Sequence, residues 1–236
     1  MRFQVRRFDS LDSTNRYLLD EARAGAPEGL VAVADYQTAG RGRRGRTWVA
    51  PPGASLLVSV LLRPSLAPDR AQLVSIGAGL AMADAVERVV GFAPALKWPN
   101  DLLVDDKKLA GLLAEADPDA VVVGVGVNVE WHDFPPEVAE TATACNLVAG
   151  RTVDRDAILD AFLDGLAARY RDFEGVLPEY RARLSTLGRR VRVETGTGTL
   201  TGTAVDVGES GELLVEPDGA DRVAVHAGDV VHLRDA

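Results

Sequence analysis

The sequence predicts an α/β fold that ends in a small β-barrel, and three observations carry that expectation. Its 236 residues suit one large domain, or one domain with a small appendage, and 47% of them are hydrophobic, enough for a substantial core. Up to about Leu187, short apolar runs of strand type alternate with segments whose apolar residues recur at helical spacing. Beyond it only short alternating segments remain, punctuated by glycines.

In chain order, Phe3 to Phe8 reads as a strand. Asp12 or Ser13 can cap a helix running to about Ala24, with Gly25 ending it. Leu30 to Ala34 and Ser55 to Leu62 are apolar strands on either side of a glycine–arginine stretch. After Pro68 and Asp69, Leu73, Ile76, Leu80 and Val86 mark a helix that Gly91 closes. Pro99 biases Trp98 to extended geometry. Asp105-Asp106-Lys107 turns the chain into a hairpin whose returning strand is Lys108 to Glu115, and Ala120 to Val129 is a buried strand. Ile158, Phe162, Leu166, Tyr170 and Phe173 predict a helix from about Asp154 to Glu174, followed by a shorter one over Pro178 to Leu184. Arg190–Glu194, Leu200–Val207, Leu213–Glu216 and Arg222–Val225 are the barrel strands, so a domain boundary falls near Gly188.

The stretch from Gln37 to Trp48 carries four arginines, at 41, 43, 44 and 46, spaced by glycines. Arginine offers a planar charged fork suited to phosphate and carboxylate, and glycine lets backbone approach a ligand. Such a loop reads as a lid over a phosphate-bearing ligand, or as a solvated basic loop or nucleic-acid contact. The net charge of −9 makes it a local exception and argues against general nucleic-acid binding. Cys145 is the only cysteine, which excludes an intramolecular disulfide and fits a small buried side chain. There is no charged start followed by a long apolar run, and no stretch approaches the roughly 20 apolar residues of a membrane span. The expectation is a soluble, cytoplasmic protein. His132, His226 and His232 are scattered, with no metal-ligand spacing.

Asp12-Ser13-Thr14-Asn15, the Gly40 to Arg46 loop, Lys97-Trp98-Pro99-Asn100-Asp101, Lys108-Leu109-Ala110-Gly111 and Gly124-Val125-Gly126-Val127-Asn128 follow one another in that order. Together they resemble the biotin protein ligases, and the resemblance spans the whole chain. It implies a mixed-sheet catalytic domain of class II synthetase-like type over 1–187, followed by an SH3-like barrel over 188–236. It implies two steps: biotin and ATP give biotinyl-5′-AMP and pyrophosphate with Mg²⁺, and a lysine of a biotin carboxyl carrier domain then takes the biotin.

The residues can be matched to that chemistry. By resemblance, Lys108 contacts the biotin carboxylate and the α-phosphate, Arg41, Gly42 and Arg43 lie on the ligand loop, and Arg46 meets phosphate. A solvated hairpin lysine is the plainer reading of Lys108. Ser13, Thr14, Asn15 and Gln37 supply the uncharged donors and acceptors that a ureido ring needs, although Ser13 can equally be a helix cap. Trp48 could stack on the adenylate or be a core residue. Gly111, Gly124 and Gly126 would let ligand lie against a strand floor, with Asn128 bonding to adenine; plain sheet packing is the other reading. Asn100 is placed at the adenylate. Asp101 could hold Mg²⁺ through water or take the proton of the acceptor lysine, or the pair could simply form a turn.

Some members of the family carry an N-terminal DNA-binding segment and act as repressors; here the ligase motifs begin almost at Met1, so DNA is not the expected partner. A lipoate ligase of similar fold is the nearer rival, which the arginine loop disfavours. Two further expectations concern structure. The loop should be disordered when empty, because its charge is then uncompensated. The barrel should help dock ATP or the acceptor domain rather than bind biotin.

Overall fold

The computed structural model describes residues 1–196 and 198–233; Thr197 and Arg234 to Ala236 of the expected barrel lie outside the described residues. In chain order the elements are β1 (Gln4–Leu11), α1 (Thr14–Arg23), β2 (Leu30–Gln37), β3 (Ser55–Leu62), α2 (Gln72–Val90), β4 (Ala95–Lys97), β5 (Asp101–Val104), β6 (Lys107–Asp117), β7 (Ala120–Asn128), α3 (Cys145–Ala149), α4 (Arg155–Arg169), α5 (Leu177–Arg183), β8 (Arg190–Glu194), β9 (Thr199–Val207), β10 (Leu213–Pro217), β11 (Val223–Val225) and β12 (Asp229–His232).

Seven strands form one mixed sheet in the order β1-β2-β3-β7-β6-β5-β4. Only β1 and β2 run parallel; the other neighbours are antiparallel. Both faces of the central strands are covered, which is why all eight residues of β3 are buried. Leu18 and Leu19 of α1 pack on Leu30, Ala32, Leu61 and Val122 on one face. On the other, α2 and α4 cover Val31, Val33, Leu56, Val58 and Val125.

Local chemistry explains the boundaries. Ser13 Oγ accepts from Arg16 N at 3.5 Å and caps α1, and Gly25 (φ 86) turns the chain after it. Gly91 ends α2 in the left-handed region at φ 96. Asp105 (φ 50) and Asp106 (φ 59) make the two-residue turn of the β5–β6 hairpin, as the right-handed twist of its strands favours. The Trp98–Pro99 peptide is cis.

Three expectations change. The first strand runs on to Leu11. The helix expected to reach Glu174 stops at Arg169: Asp172 Oδ1 accepts from Gly175 N at 2.8 Å and turns the chain, while Phe173 packs against Gly77 of α2 without remaining helical. The spacing was helical because both segments face one core. A fifth C-terminal strand, β12, was not anticipated from its four residues.

The C-terminal strands form an antiparallel sheet in the order β11-β10-β9-β8-β12. Its apolar face is continuous with the main core, since Val191, Val193, Val207 and Leu213 join the cluster that holds α2 and Trp98. Gly211 O accepts from both Trp98 Nε1 (3.0 Å) and Gln72 Nε2 (2.9 Å), and Arg181 Nε pairs with Asp206 at 2.8 Å. None of the described helices is long and apolar enough to cross a membrane.

Candidate active site

A cleft of about 170 Å³ lies against β3, β6 and β7, roofed by the arginine loop and bounded by β12. Alternation places its floor: Gly124 and Gly126 of β7 turn to the cleft while Val123, Val125 and Val127 enter the core. Ser13, Thr14, Asn15, Gln37, Arg41, Gly42, Arg43, Arg46, Trp48, Asn100, Asp101, Lys108 and Gly111 all line it.

The side chains that line the part nearest Gly124, Thr14, Asn15 and Gln37, are uncharged, with the Glu115 carboxylate behind them. Gln37 Oε1 accepts from Thr14 N at 2.8 Å and lies 3.0 Å from Thr14 Oγ1. Ser59 Oγ lies 2.7 Å from Thr14 Oγ1 and 2.6 Å from Asn15 Oδ1. Asn15 Nδ2 donates to Leu113 O (3.1 Å) and Glu115 Oε2 (2.9 Å). A Cβ at Gly124 would collide with Asn15 Oδ1, so glycine makes room for this amide.

Two residues along β7 the site becomes cationic. Lys108 Nζ pairs with Asp101 Oδ1 at 2.7 Å and lies 5.7 Å from the Trp48 ring centroid. It reaches the cleft through a β-bulge: Leu103 pairs with Lys108 and Leu102 with Ala110, leaving Leu109 as an extra residue. Leu109 and Ala110 both enter the core, so Lys108 shares a face with Gly111, and Lys107 is exposed. Arg43 Nη1 reaches Asn100 Oδ1 (3.3 Å) and Gly228 O (3.4 Å); desolvation lowers its guanidinium pKa, against the opposing pull of Asp229 and Asp101. Burial likewise lowers the pKa of Lys97, which also lines the cleft.

The loop's charge is compensated by carboxylates of the chain itself, contrary to expectation. Arg46 pairs with Asp229, Arg44 lies 3.4 Å from the same carboxylate and donates to Glu194 O at 2.8 Å, and Arg41 pairs with Glu115 at 3.0 Å. A turn with Arg44 at φ 54 and Gly45 at φ 75 brings these side chains together. The glycine floor also differs from the expectation of a surface open to ligand. Trp48 lies on it, with Cε2 2.6 Å from where a Cβ of Gly126 would sit and Cζ3 3.1 Å from that of Gly111. Trp48 Nε1 is buried without a hydrogen-bond partner among the described residues.

Asn128 is the expected site residue that the fold does not bring to the cleft. Its amide donates to Thr143 O at 3.0 Å and its Oδ1 faces Ser55 Oγ at 3.4 Å, so the segment after β7 uses it structurally. Cys145 is buried, with its thiol pKa pushed up to about 12 by desolvation, as suits a packing residue. Four cleft or supporting residues were missed. Lys97 stood in the Lys-Trp-Pro-Asn-Asp stretch and could have been found there. Ser59 carried a signal too, since a hydroxyl in a strand buried on both faces needs a partner. Asp229 and Glu115 gave none, because their partners are remote in sequence.

A profile described as the biotin/lipoate A/B protein ligase family matches residues 7–129, and one for the biotin protein ligase C-terminal domain matches 186–233. The chain is 43% identical over 232 residues to the biotin–[acetyl-CoA-carboxylase] ligase of Mycobacterium tuberculosis, covering 94% of this chain and 86% of that protein. It is 35% identical over 221 residues to the bifunctional ligase/repressor BirA of Escherichia coli, covering 89% and 68%. A biotin protein ligase from Aquifex aeolicus, solved with biotin and ATP, superimposes with a TM-score of 0.84 at 28% identity, over 98% of this chain and 99% of that one.

Proposed function

The chain belongs to the biotin/lipoate A/B protein ligase family, and from that premise we propose that its cleft joins biotin to ATP and then hands the biotin to a lysine of a biotin carboxyl carrier domain. In the first step a biotin carboxylate oxygen attacks the α-phosphorus of ATP and pyrophosphate leaves. In the second the acceptor amine attacks the acyl carbon, AMP leaves, and the amine gives up a proton.

The observation that carries this reading is the juxtaposition, in one cleft, of a neutral cluster around Thr14 and Gln37 with a cationic one around Lys108, Arg43 and Lys97. The neutral cluster suits a ureido ring. The cationic one suits two anions that repel each other, whose charge must be offset by groups fixed beforehand. Lys108 is assigned to the space between carboxylate and α-phosphate, with Asp101 holding its ammonium. Arg43, Arg46 and Lys97 are assigned to the remaining phosphates, and Asn100 positions Arg43. Receiving the acceptor's proton and holding magnesium are alternative assignments for Asp101.

Among the described residues no three His, Cys, Asp or Glu side chains form a metal cluster. Asp101 is a hard oxygen donor lining the cleft, and magnesium commonly takes one or two protein carboxylates and draws its other ligands from phosphate and water. Asp101 would hold it, and it would supply charge neutralisation at the phosphates. The place of action proposed is the cytoplasm, where ATP is available.

Trp48 and the arginine loop leave the cleft below the roughly 300 Å³ at which small-molecule sites usually begin. The loop must lift for both substrates to enter, and closing again would shield the reactive anhydride from water. Incubating the protein with a carrier domain, ATP and either biotin or lipoate, with mass spectrometry of the carrier, tests the reading. Biotin addition is expected; lipoate addition alone would overturn the substrate assignment.

A further inference from the structure

The neutral cluster poses a proton-counting problem. Gln37 Oε1, Thr14 Oγ1, Ser59 Oγ and Asn15 Oδ1 form a row of three oxygen–oxygen contacts, of 3.0, 2.7 and 2.6 Å. Both ends of the row can only accept. Asn15 is fixed with its oxygen toward Ser59 because its Nδ2 donates to Leu113 O and Glu115. Gln37 is fixed with its oxygen toward Thr14 because it accepts the Thr14 N–H at 2.8 Å. Two hydroxyl protons are therefore available for three contacts.

The contact without a proton should be the longest, since hydroxyl hydrogen bonds cluster near 2.7 to 2.8 Å. That contact is Thr14–Gln37, at 3.0 Å. Ser59 then donates to Asn15, and Thr14 donates to Ser59. Thr14 Oγ1 and Gln37 Oε1 are left side by side as lone-pair acceptors at the cleft.

We propose that Ser59, a completely buried residue that does not itself line the cleft, is a positioning residue for specificity: it takes the Thr14 proton and so makes the site demand an N–H donor from the ligand. This rests on the reading that the ureido ring sits at Thr14 and Gln37. A ureido N–H supplies the missing proton of the row. A ring oxygen at the same place would meet two acceptors, and a buried mismatch of that kind is what gives polar sites their selectivity.

Ser59→Ala removes the acceptor and frees the Thr14 hydroxyl to rotate and donate. The test is calorimetry of biotin and of its two cyclic carbamate analogues, in which one or the other ureido N–H is replaced by oxygen. For at least one isomer, the preference for biotin over the carbamate should fall about tenfold in Ser59→Ala. Ser59→Cys, isosteric but with a weaker acceptor, should lie between and serves if the alanine variant does not fold. A merely structural role would weaken all three ligands by the same factor; an unchanged preference for both isomers in either variant therefore overturns the proposal. Thr14→Val separates the two layers of the argument. If it weakens biotin while the Ser59 variants keep the preference, only the role of Ser59 fails. If it binds biotin as tightly as the wild type, the placement of the ring fails as well.

Discussion

At the scale of single residues, Lys108 and Gly124 make the clearest predictions. Lys108→Ala should slow adenylate formation by roughly 10²-fold or more, the usual cost of a lost transition-state electrostatic contact. Biotin affinity without ATP should fall less, because the neutral cluster is intact. Lys107→Ala should be near neutral, since Lys107 is exposed and does not line the cleft. Single-turnover pyrophosphate release measures both, and normal release from Lys108→Ala would remove it from the mechanism. Gly124→Ala places a methyl against Asn15 Oδ1 and near Ser59 Oγ, at 3.2 Å. Asn15 is then forced from the row, and calorimetric biotin affinity should drop at least about tenfold with the fold intact by circular dichroism.

Among the elements, the arginine loop and β12 act on one another. Asp229 at the start of β12 holds both Arg44 and Arg46, the second of which is proposed to meet phosphate. Exposed ion pairs are individually weak, but these contacts share one carboxylate and are joined by Arg43 on Gly228 O. Asp229→Ala should release the loop, so protease cleavage between 40 and 48 should quicken in the unliganded protein and slow again with biotin and ATP. Equal cleavage of variant and wild type without ligand would show that the latch does not hold. The bulge at Leu109 is the other decisive feature. Strict alternation counted back from Gly111 would have put Lys107, not Lys108, in the cleft.

The whole molecule should unfold as one cooperative body, because the C-terminal sheet shares its core with α2 and Trp98. Truncation after Leu187 would expose Trp98, Ile76 and the Gly211-bonded side of Gln72. The shortened chain should lose cooperative thermal unfolding, whereas a free-standing domain would keep a sharp transition. His232 lies in the same junction: its Nδ1 faces Arg189 Nη1 at 3.2 Å, and its Nε2 faces Thr186 Oγ1 at 3.2 Å, which accepts the Trp98 N–H. Because arginine only donates, the imidazole is neutral with its proton on Nε2. Desolvation first, then Lys97 and Arg189, lower its pKa to about 4. The unfolded chain binds a proton near its ordinary value of about 6.5 while the folded one does not. This contribution to stability is thus complete above about pH 6.5 and is lost as pH falls toward about 4. On acidification over that window Tm should fall further in the wild type than in His232→Gln, and parallel curves would count against the assignment.

What the sequence determined by itself was local: helix caps at Ser13 and Gly91, the Asp105-Asp106 turn, the buried strands, and the motif residues drawn from the arginine loop, the Lys-Trp-Pro-Asn-Asp stretch and the Lys-Leu-Ala-Gly segment. These follow from backbone preference and from patterns only a few residues long. The tertiary structure decided everything that depends on a partner far along the chain. It turned Asn128 away to Thr143, laid Trp48 on the glycines expected to face ligand, paired the loop arginines with Asp229 and Glu115, and set Ser59 between Thr14 and Asn15. The reason is the range of the forces involved. Propensity and alternation act between neighbours, whereas a buried polar group takes whichever partner the folded chain brings within about 3 Å, and no local pattern records which one that will be.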